Sequence, residues 1–254
     1  NPSNTNNPFT FHFARGTAMR HTQRFTSVLL LLISSFSLHL LNAEEGFERI
    51  FNGKDLTDWE GKEGFWSVQD EAITGTTTKE KPTRGNTFCI WTGGKLEDFE
   101  LKLKFRIAGH NSGIQFRSKH RGNFVVAGYQ ADFDAKNGWT GTLYEEKTGR
   151  GVLARRGNKV VIHPDGKKET VGKTVDQKTL LSKVKKFEDG WNEYHITAID
   201  NHIVMKINGM VTADVTDNQE TRRAMAGILA VQLHGGPPMV VQVKEVWLKK
   251  LPKK

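Results

Sequence analysis

The sequence predicts an all-β protein, an antiparallel β-sandwich or jelly roll. Three observations carry that expectation. Short apolar runs alternate with polar residues at period two, and turn signals rich in Gly, Asn and Asp separate them at regular spacing. Only one brief stretch has helical spacing, and β-α-β alternation is missing. The clearest strand covers residues 99–107, where Phe99, Leu101, Leu103, Phe105 and Ile107 face one way and Glu100, Lys102, Lys104 and Arg106 the other.

Taken in order, residues 1–18 precede Met19, which can serve as initiator, and read as an over-extended start or a disordered leader. Arg20 and Arg24 then precede the apolar residues 28–33, continued from Phe36 to Leu41, and Leu41-Asn-Ala43 supplies a small-residue site before Glu44. This is the three-part plan of a secretory signal peptide over 19–43, too short to prefer a spanning role. It predicts a secreted or periplasmic protein with no stable membrane insertion after its removal. Residues 47–51 read as a short strand, and Asn52-Gly53 as a turn. Residues 65–69 and 73–78 read as a hairpin turned at Asp70-Glu71, with a loop to Asn86. Beyond the strand at 99–107, the chain turns at 109–111 into Ile114-Gln-Phe-Arg117, where alternation puts Gln115 and Arg117 on one face. Gln130, Asp132 and Asp134 likewise oppose Tyr129 and Phe133.

After Arg150, residues 152–155 and 159–163 with the turn Pro164-Asp-Gly166 suit hairpins, and residues 175–184 are the one stretch with helical spacing. Residues 191–199 and 202–207 form a strand pair joined at Asp200-Asn201, and Asn208-Gly209 is the strongest hairpin signal in the chain. Residues 217–223 make a polar loop; 225–233 and 239–248 close the fold. No repeat or linker interrupts residues 44–254, so one domain is expected there.

The formal net charge is +9, and removal of residues 1–43 lowers it to +6, because they hold three arginines and no acids. Much of the remainder lies in Lys-rich loops and the C-terminal tail, which suits a solvated surface. No RNP, helix-turn-helix or zinc-finger pattern points to nucleic acid. Cys89, the only cysteine, excludes an intrachain disulfide, and in its apolar strand it reads as a small buried hydrophobe.

Chemistry-bearing residues concentrate between 99 and 150. Gln130-Ala-Asp132-Phe-Asp134 has the alternating spacing by which some sandwich glucanases bring acids to one face, but its first position is an amide. An amide is neither nucleophile nor proton donor, which turns the reading away from a direct two-carboxylate mechanism. Glu145 and Glu146 are adjacent, so only one of them can share a face with Asp132. Arg106, Arg117 and Arg150 suit bidentate contact with anionic or polarised oxygens. His234 ends an apolar strand, shares a face with Gln232 and precedes Gly235-Gly-Pro-Pro238. No His-x-His or His-Glu-x-x-His spacing is present, so no cofactor is expected; a hard cation on Asp132, Asp134 or Glu146 fits the residue types without a spacing signal.

Several motifs together resemble the 3-keto-disaccharide hydrolase family. They are Phe51-Asn-Gly-Lys-Asp-Leu-Thr-Asp-Trp59, Asp98-Phe-Glu-Leu-Lys-Leu-Lys-Phe-Arg106, Asn111-Ser-Gly-Ile-Gln-Phe-Arg117, Gly128-Tyr-Gln-Ala-Asp132, Leu143-Tyr-Glu-Glu146 with Gly149-Arg-Gly151, Trp191-Asn192, Ile207-Asn-Gly209 and Leu233-His-Gly-Gly236. The resemblance runs from about Phe47 to Leu251. It implies a concanavalin-like jelly roll that cleaves glycosides already oxidised at C3, and it allows an upstream sugar oxidoreductase as pathway partner. The C3 ketone acidifies the C2 proton, so a base can remove it and the aglycone can leave C1 by elimination before water adds. By resemblance, Arg117, Gln130, Asp132, Tyr144, Glu146, Arg150 and His234 line the site, with Asn111 and Gln232 as further substrate-contacting amides. Asp132 or Glu146 would be the base, Arg117 the partner of the enolate, and His234 or Tyr144 would serve the leaving group. The alternative of another class is a lectin-like module that binds sugar without turnover.

Overall fold

The computed structural model describes residues 46–252. The leader expected at 1–18 and the signal peptide expected at 19–43 lie outside the described residues. Two sheets pack face to face. The first has ten strands, in the order β12 (Lys168–Lys173), β11 (Asn158–Ile162), β15 (Met210–Asp217), β14 (His202–Ile207), β13 (Asn192–Ile199), β6 (Phe99–Ala108), β17 (Met239–Lys250), β4 (Ala72–Thr77) and β3 (Trp66–Gln69), with β1 (Glu48–Arg49) beside β17. The second has seven: β10 (Gly151–Ala154), β9 (Leu143–Glu146), β8 (Val126–Asp134), β7 (Asn111–His120), β16 (Ile228–Leu233), β5 (Thr87–Trp91) and β2 (Trp59–Gly61). Among the described strands all pairs are antiparallel except β11 with β15, which run parallel. The jelly-roll sandwich expected from period-two patterning is the observed architecture.

β6 explains the packing. Its residues alternate buried and half-buried along the whole strand. The buried set meets the other sheet directly: the Phe105 ring lies 4.2 Å from that of Phe133, and the Phe99 ring 5.8 Å from that of Phe116. Removing each such ring from water contributes about 1.5–3 kcal/mol. The turns obey their chemistry too, since Asp70 and Glu71 (φ 52° and 58°) and Asn208 and Gly209 (φ 49° and 80°) are left-handed at both central positions. That is the type I′ geometry whose twist matches the flanking strands.

Some boundaries differ from expectation. The strand expected at 47–51 contracts to Glu48–Arg49, and the helix expected at 175–184 is α1 (Gln177–Lys183). Asp176 caps α1 by accepting from the Thr179 amide, and Val184 is already extended. β12 is an edge strand whose lysines and glutamate hid it from an apolar pattern, as edge strands often do.

The most consequential difference is a bulge in β7. Phe116 pairs with Tyr129 and Lys119 with Ala127, so Arg117 and Ser118 together oppose Gly128. Arg117 is left-handed, with φ 46°. One extra residue reverses the facing of the rest of the strand. Arg117 therefore leaves the face of Gln115, and Ser118 hydrogen-bonds Gln115 instead. Gly128 is required here, because a Cβ at that position would sit 2.4 Å from Ser118 Oγ.

Candidate functional site

The register places the polar residues of the seven-stranded sheet in rows on its outer face. Gln115 of β7 pairs with Ala230 of β16 and with Gln130 of β8, and Gln130 pairs with Tyr144 of β9. One row on, Asp132 pairs with Gly113. Above these rows opens a pocket of about 200 Å³ lined by His110, Asn111, Gln130, Asp132, Trp139, Tyr144, Glu146, Gln232 and His234. The volume lies below the roughly 300–1,000 Å³ of pockets for drug-sized ligands.

Asp132 is 3% exposed. Its side chain accepts one hydrogen bond among the described residues, from Gln130 Nε2 to Oδ1 at 2.6 Å. Burial holds this carboxyl well above the usual carboxylate range; the Gln130 bond opposes the shift, and the neighbouring Glu146 and Asp134 add to it. Burial, Glu146 and Asp132 push the Tyr144 phenol up as well, so it keeps its proton. Asn86 Nδ2 donates to Glu146 Oε1 at 3.4 Å, and Asn86 Oδ1 accepts from the Gly235 amide at 3.0 Å. Asn86 thereby ties the loop after β16 to β9.

Two histidines stack at the rim, the rings of His110 and His234 being 4.5 Å apart. His234 Nδ1 lies 2.6 Å from the Gly235 carbonyl, which can only accept, so the proton sits on Nδ1 and a neutral ring keeps Nε2 as an acceptor. Burial and the neighbouring His234 lower the pKa of His110. Trp139, 37% exposed, stands edge-on to Tyr144 at 6.1 Å. No group of three or more His, Cys, Asp or Glu side chains among the described residues is placed to hold a metal ion.

Of the nine residues expected at the site, Asn111, Gln130, Asp132, Tyr144, Glu146, Gln232 and His234 meet in this pocket. Arg117 and Arg150 do not line it. Arg117 is 1% exposed and spends its guanidinium on the Glu97 carbonyl (2.7 Å), the Asp200 carbonyl (2.6 Å) and Asp98 Oδ1 (2.8 Å). The β7 bulge redirected it, and it ties the two sheets together. Arg150 grips both oxygens of Glu145 at 2.7 Å and Asp217 Oδ2 at 2.8 Å. Tyr129 also donates to Asp217, at 2.6 Å. Glu145 and Glu146 thus diverge as adjacent strand residues must, one to the arginine and one to the pocket. Asp134, the second acid of the alternating set, caps its own turn by accepting from the amides of Gly138, Trp139 and Thr140. The sequence reading missed His110 and Asn86. Both sit in loops, where neither period nor spacing marks them, and only the approach of distant strands brings them to His234 and Glu146.

A model of the 3-keto-alpha-glucoside-1,2-lyase-like domain matches residues 46–249. Among solved structures the chain is similar to a Parabacteroides distasonis protein provisionally described as a glycosyl hydrolase, at 18% identity and TM-score 0.53 over 82% of this chain and 95% of that one. It is also similar to carbohydrate binding module CBM66 from Bacillus subtilis, at 14% identity and TM-score 0.52 over 78% of this chain and 98% of that one. A Bacillus subtilis protein of unknown function with a galectin-like fold matches at 9% identity and TM-score 0.53, over 82% of this chain and 96% of that one. Likeness at such identities is one of fold. No curated protein matches the chain.

Proposed function

The chain belongs to the 3-keto-alpha-glucoside-1,2-lyase-like family, a carbohydrate-active one, and from that premise we propose that it cleaves the glycosidic bond of 3-keto-glycosides by elimination followed by hydration. The observation that carries this reading is Asp132, a buried carboxyl on the pocket floor with one amide donor and a raised pKa. A carboxyl so placed is, once ionised, a stronger base than a solvated carboxylate and suits the removal of a carbon-bound proton.

In this scheme Asp132 takes the C2 proton, and the electron pair of the C–H bond moves to form the enolate with the C3 oxygen. The enolate then re-forms the C3 ketone and a C1–C2 double bond as the C1–O bond breaks. The leaving oxygen takes a proton from Tyr144, and water then adds across the double bond, OH at C1 and H at C2. Arg117 has no part in it. Asn111, whose side-chain amide makes no hydrogen bond among the described residues, is the donor available to the enolate oxygen. His234 Nε2 orients the attacking water, and Glu146, tied to Asn86, holds a sugar hydroxyl.

The reading includes export, with a mature N-terminus at Glu44, and an upstream sugar oxidoreductase that installs the ketone. N-terminal sequencing of protein recovered outside the cytoplasm tests the first. The activity is tested by incubating the protein with a glycoside and with its 3-keto derivative, with and without chelator, and following aglycone release. Cleavage of the keto form alone supports the proposal. Cleavage of both would make the protein a conventional glycosidase, and binding without release would make it a lectin.

A further inference from the structure

Gln130 lines the pocket, yet its side chain has no free end. Oε1 accepts from Gln115 Nε2 at 2.8 Å, and Nε2 donates to Asp132 Oδ1 at 2.6 Å. Gln115 Oε1 in turn accepts from Ser118 Oγ at 2.5 Å. Gln115, Ser118 and Gln130 are 0%, 2% and 2% exposed, so water cannot substitute for any of these bonds. Space for the row is built in. A Cβ at Gly113 would lie 2.5 Å from Gln130 Cγ, so only glycine there lets the amide cross towards Asp132. The bulge that expelled Arg117 put Ser118 at the row's far end.

We propose that Ser118, Gln115 and Gln130 form a reversible hydrogen-bond row that serves Asp132 with or without its proton, which makes Gln130 a positioning residue rather than a substrate ligand. With Asp132 ionised, donation runs from Ser118 through Gln115 and Gln130 to the carboxylate. With Asp132 protonated, its hydroxyl donates to Gln130 Oε1 after the amide flips, Gln130 donates to Gln115, and Gln115 donates to Ser118. Ser118 can accept because its own proton has other acceptors, the Phe116 carbonyl at 2.9 Å and the Tyr129 carbonyl at 3.3 Å. Gln232 Oε1, which accepts from Gln130 Nε2 at 3.4 Å, turns with it, so that Gln232 Nε2, otherwise without a partner among the described residues, donates to Gln130 Oε1 in the reversed row. Both directions then leave the row paired, which a buried titrating carboxyl needs.

Other groups also face Asp132. β9 contributes Tyr144 and Glu146, the segment after β10 Arg155, β8 Asp134, the turn before β7 His110, the loop after β16 His234, and β13 Tyr194, whose hydroxyl donates to the Asp132 carbonyl at 3.3 Å. Their effects persist when the row is cut, so cutting it isolates the row's share. Its consequence for catalysis rests on the reading of Asp132 as the base; the row itself does not.

The test tracks the Asp132 side-chain carboxyl by carbon-13 NMR in Asp-labelled protein, the resonance being assigned by its loss in Asp132→Asn. Gln130→Met, close in shape but without a donor, is expected to move its titration up by about one to two pH units. Gln115→Met, which lies beneath Gln130 and outside the pocket lining, is expected to move it the same way by less. In the cleavage assay the acid limb of kcat/KM shifts in parallel, with little change in KM. An unmoved resonance in both variants overturns the proposal, as does a raised KM with an unmoved acid limb, which would make Gln130 a substrate ligand. If Gln130→Met does not fold, Gln115→Met decides alone. Should the wild-type protein cleave no 3-keto-glycoside while the resonance still moves, the proposed function fails and the row stands.

Discussion

Arg117 Nη2 lies 2.8 Å from Asp98 Oδ1 in a pair whose side chains are 1% and 10% exposed. By alternation this arginine belongs beside Gln115 on the pocket face; the bulge in β7 instead makes it a tie between the sheets. Replacing Arg117 with Met should therefore act on stability and not on chemistry. It leaves Asp98 buried without its partner, a loss of about 3–5 kcal/mol. Urea denaturation should show the loss, and the fraction still folded should bind substrate with an unchanged KM.

Asp132→Asn should reduce cleavage of a 3-keto-glycoside by at least about 10²-fold, the lower end for loss of a general base. It should also raise Tm at pH 7. A carboxyl whose folded pKa lies above its unfolded value costs no stability below the usual carboxylate range and a growing amount as pH rises from the unfolded pKa to the folded one. The asparagine variant escapes that cost. Thermal melts across pH should show the two proteins converging in acid and separating towards neutrality, and a separation that grows in acid instead would contradict the assignment.

Tyr144 keeps its proton because burial, Glu146 and Asp132 raise its pKa. If it protonates the leaving oxygen, the cost of Tyr144→Phe should depend on the aglycone. With a sugar leaving group the rate should fall by about 10²-fold or more, whereas with a nitrophenolate, which leaves without a proton, it should stay within a few-fold. Equal losses on both substrates would assign Tyr144 to binding.

Cys89 lies in β5, fully buried, and its burial pushes the thiol up to about 12. It should resist a thiol reagent at pH 8 in the folded protein and react at once in denaturant. Labelling during slow unfolding would then report opening of the seven-stranded sheet at β5.

Local chemistry dictates the features legible in the chain alone. Period-two alternation marked β6 and the inner face of β8, because a strand with one face in the core must repeat every second residue. Asp70-Glu71 and Asn208-Gly209 marked hairpin turns, the second most strongly, because Asn and Gly are among the few residues that accept left-handed backbone in succession. The amide at Gln130 beside Asp132 was equally legible, as was the divergence of Glu145 and Glu146. Tertiary structure decided the rest. The extra residue opposite Gly128 has no composition signal, yet it inverts the facing of Arg117. Arg150 is claimed by Asp217, and His110 finds His234, only because the sheets fold that way. A side chain's face is set by its own strand, but its partner is set by pairing between segments far apart, and at this site the partners determine which groups stay free to act.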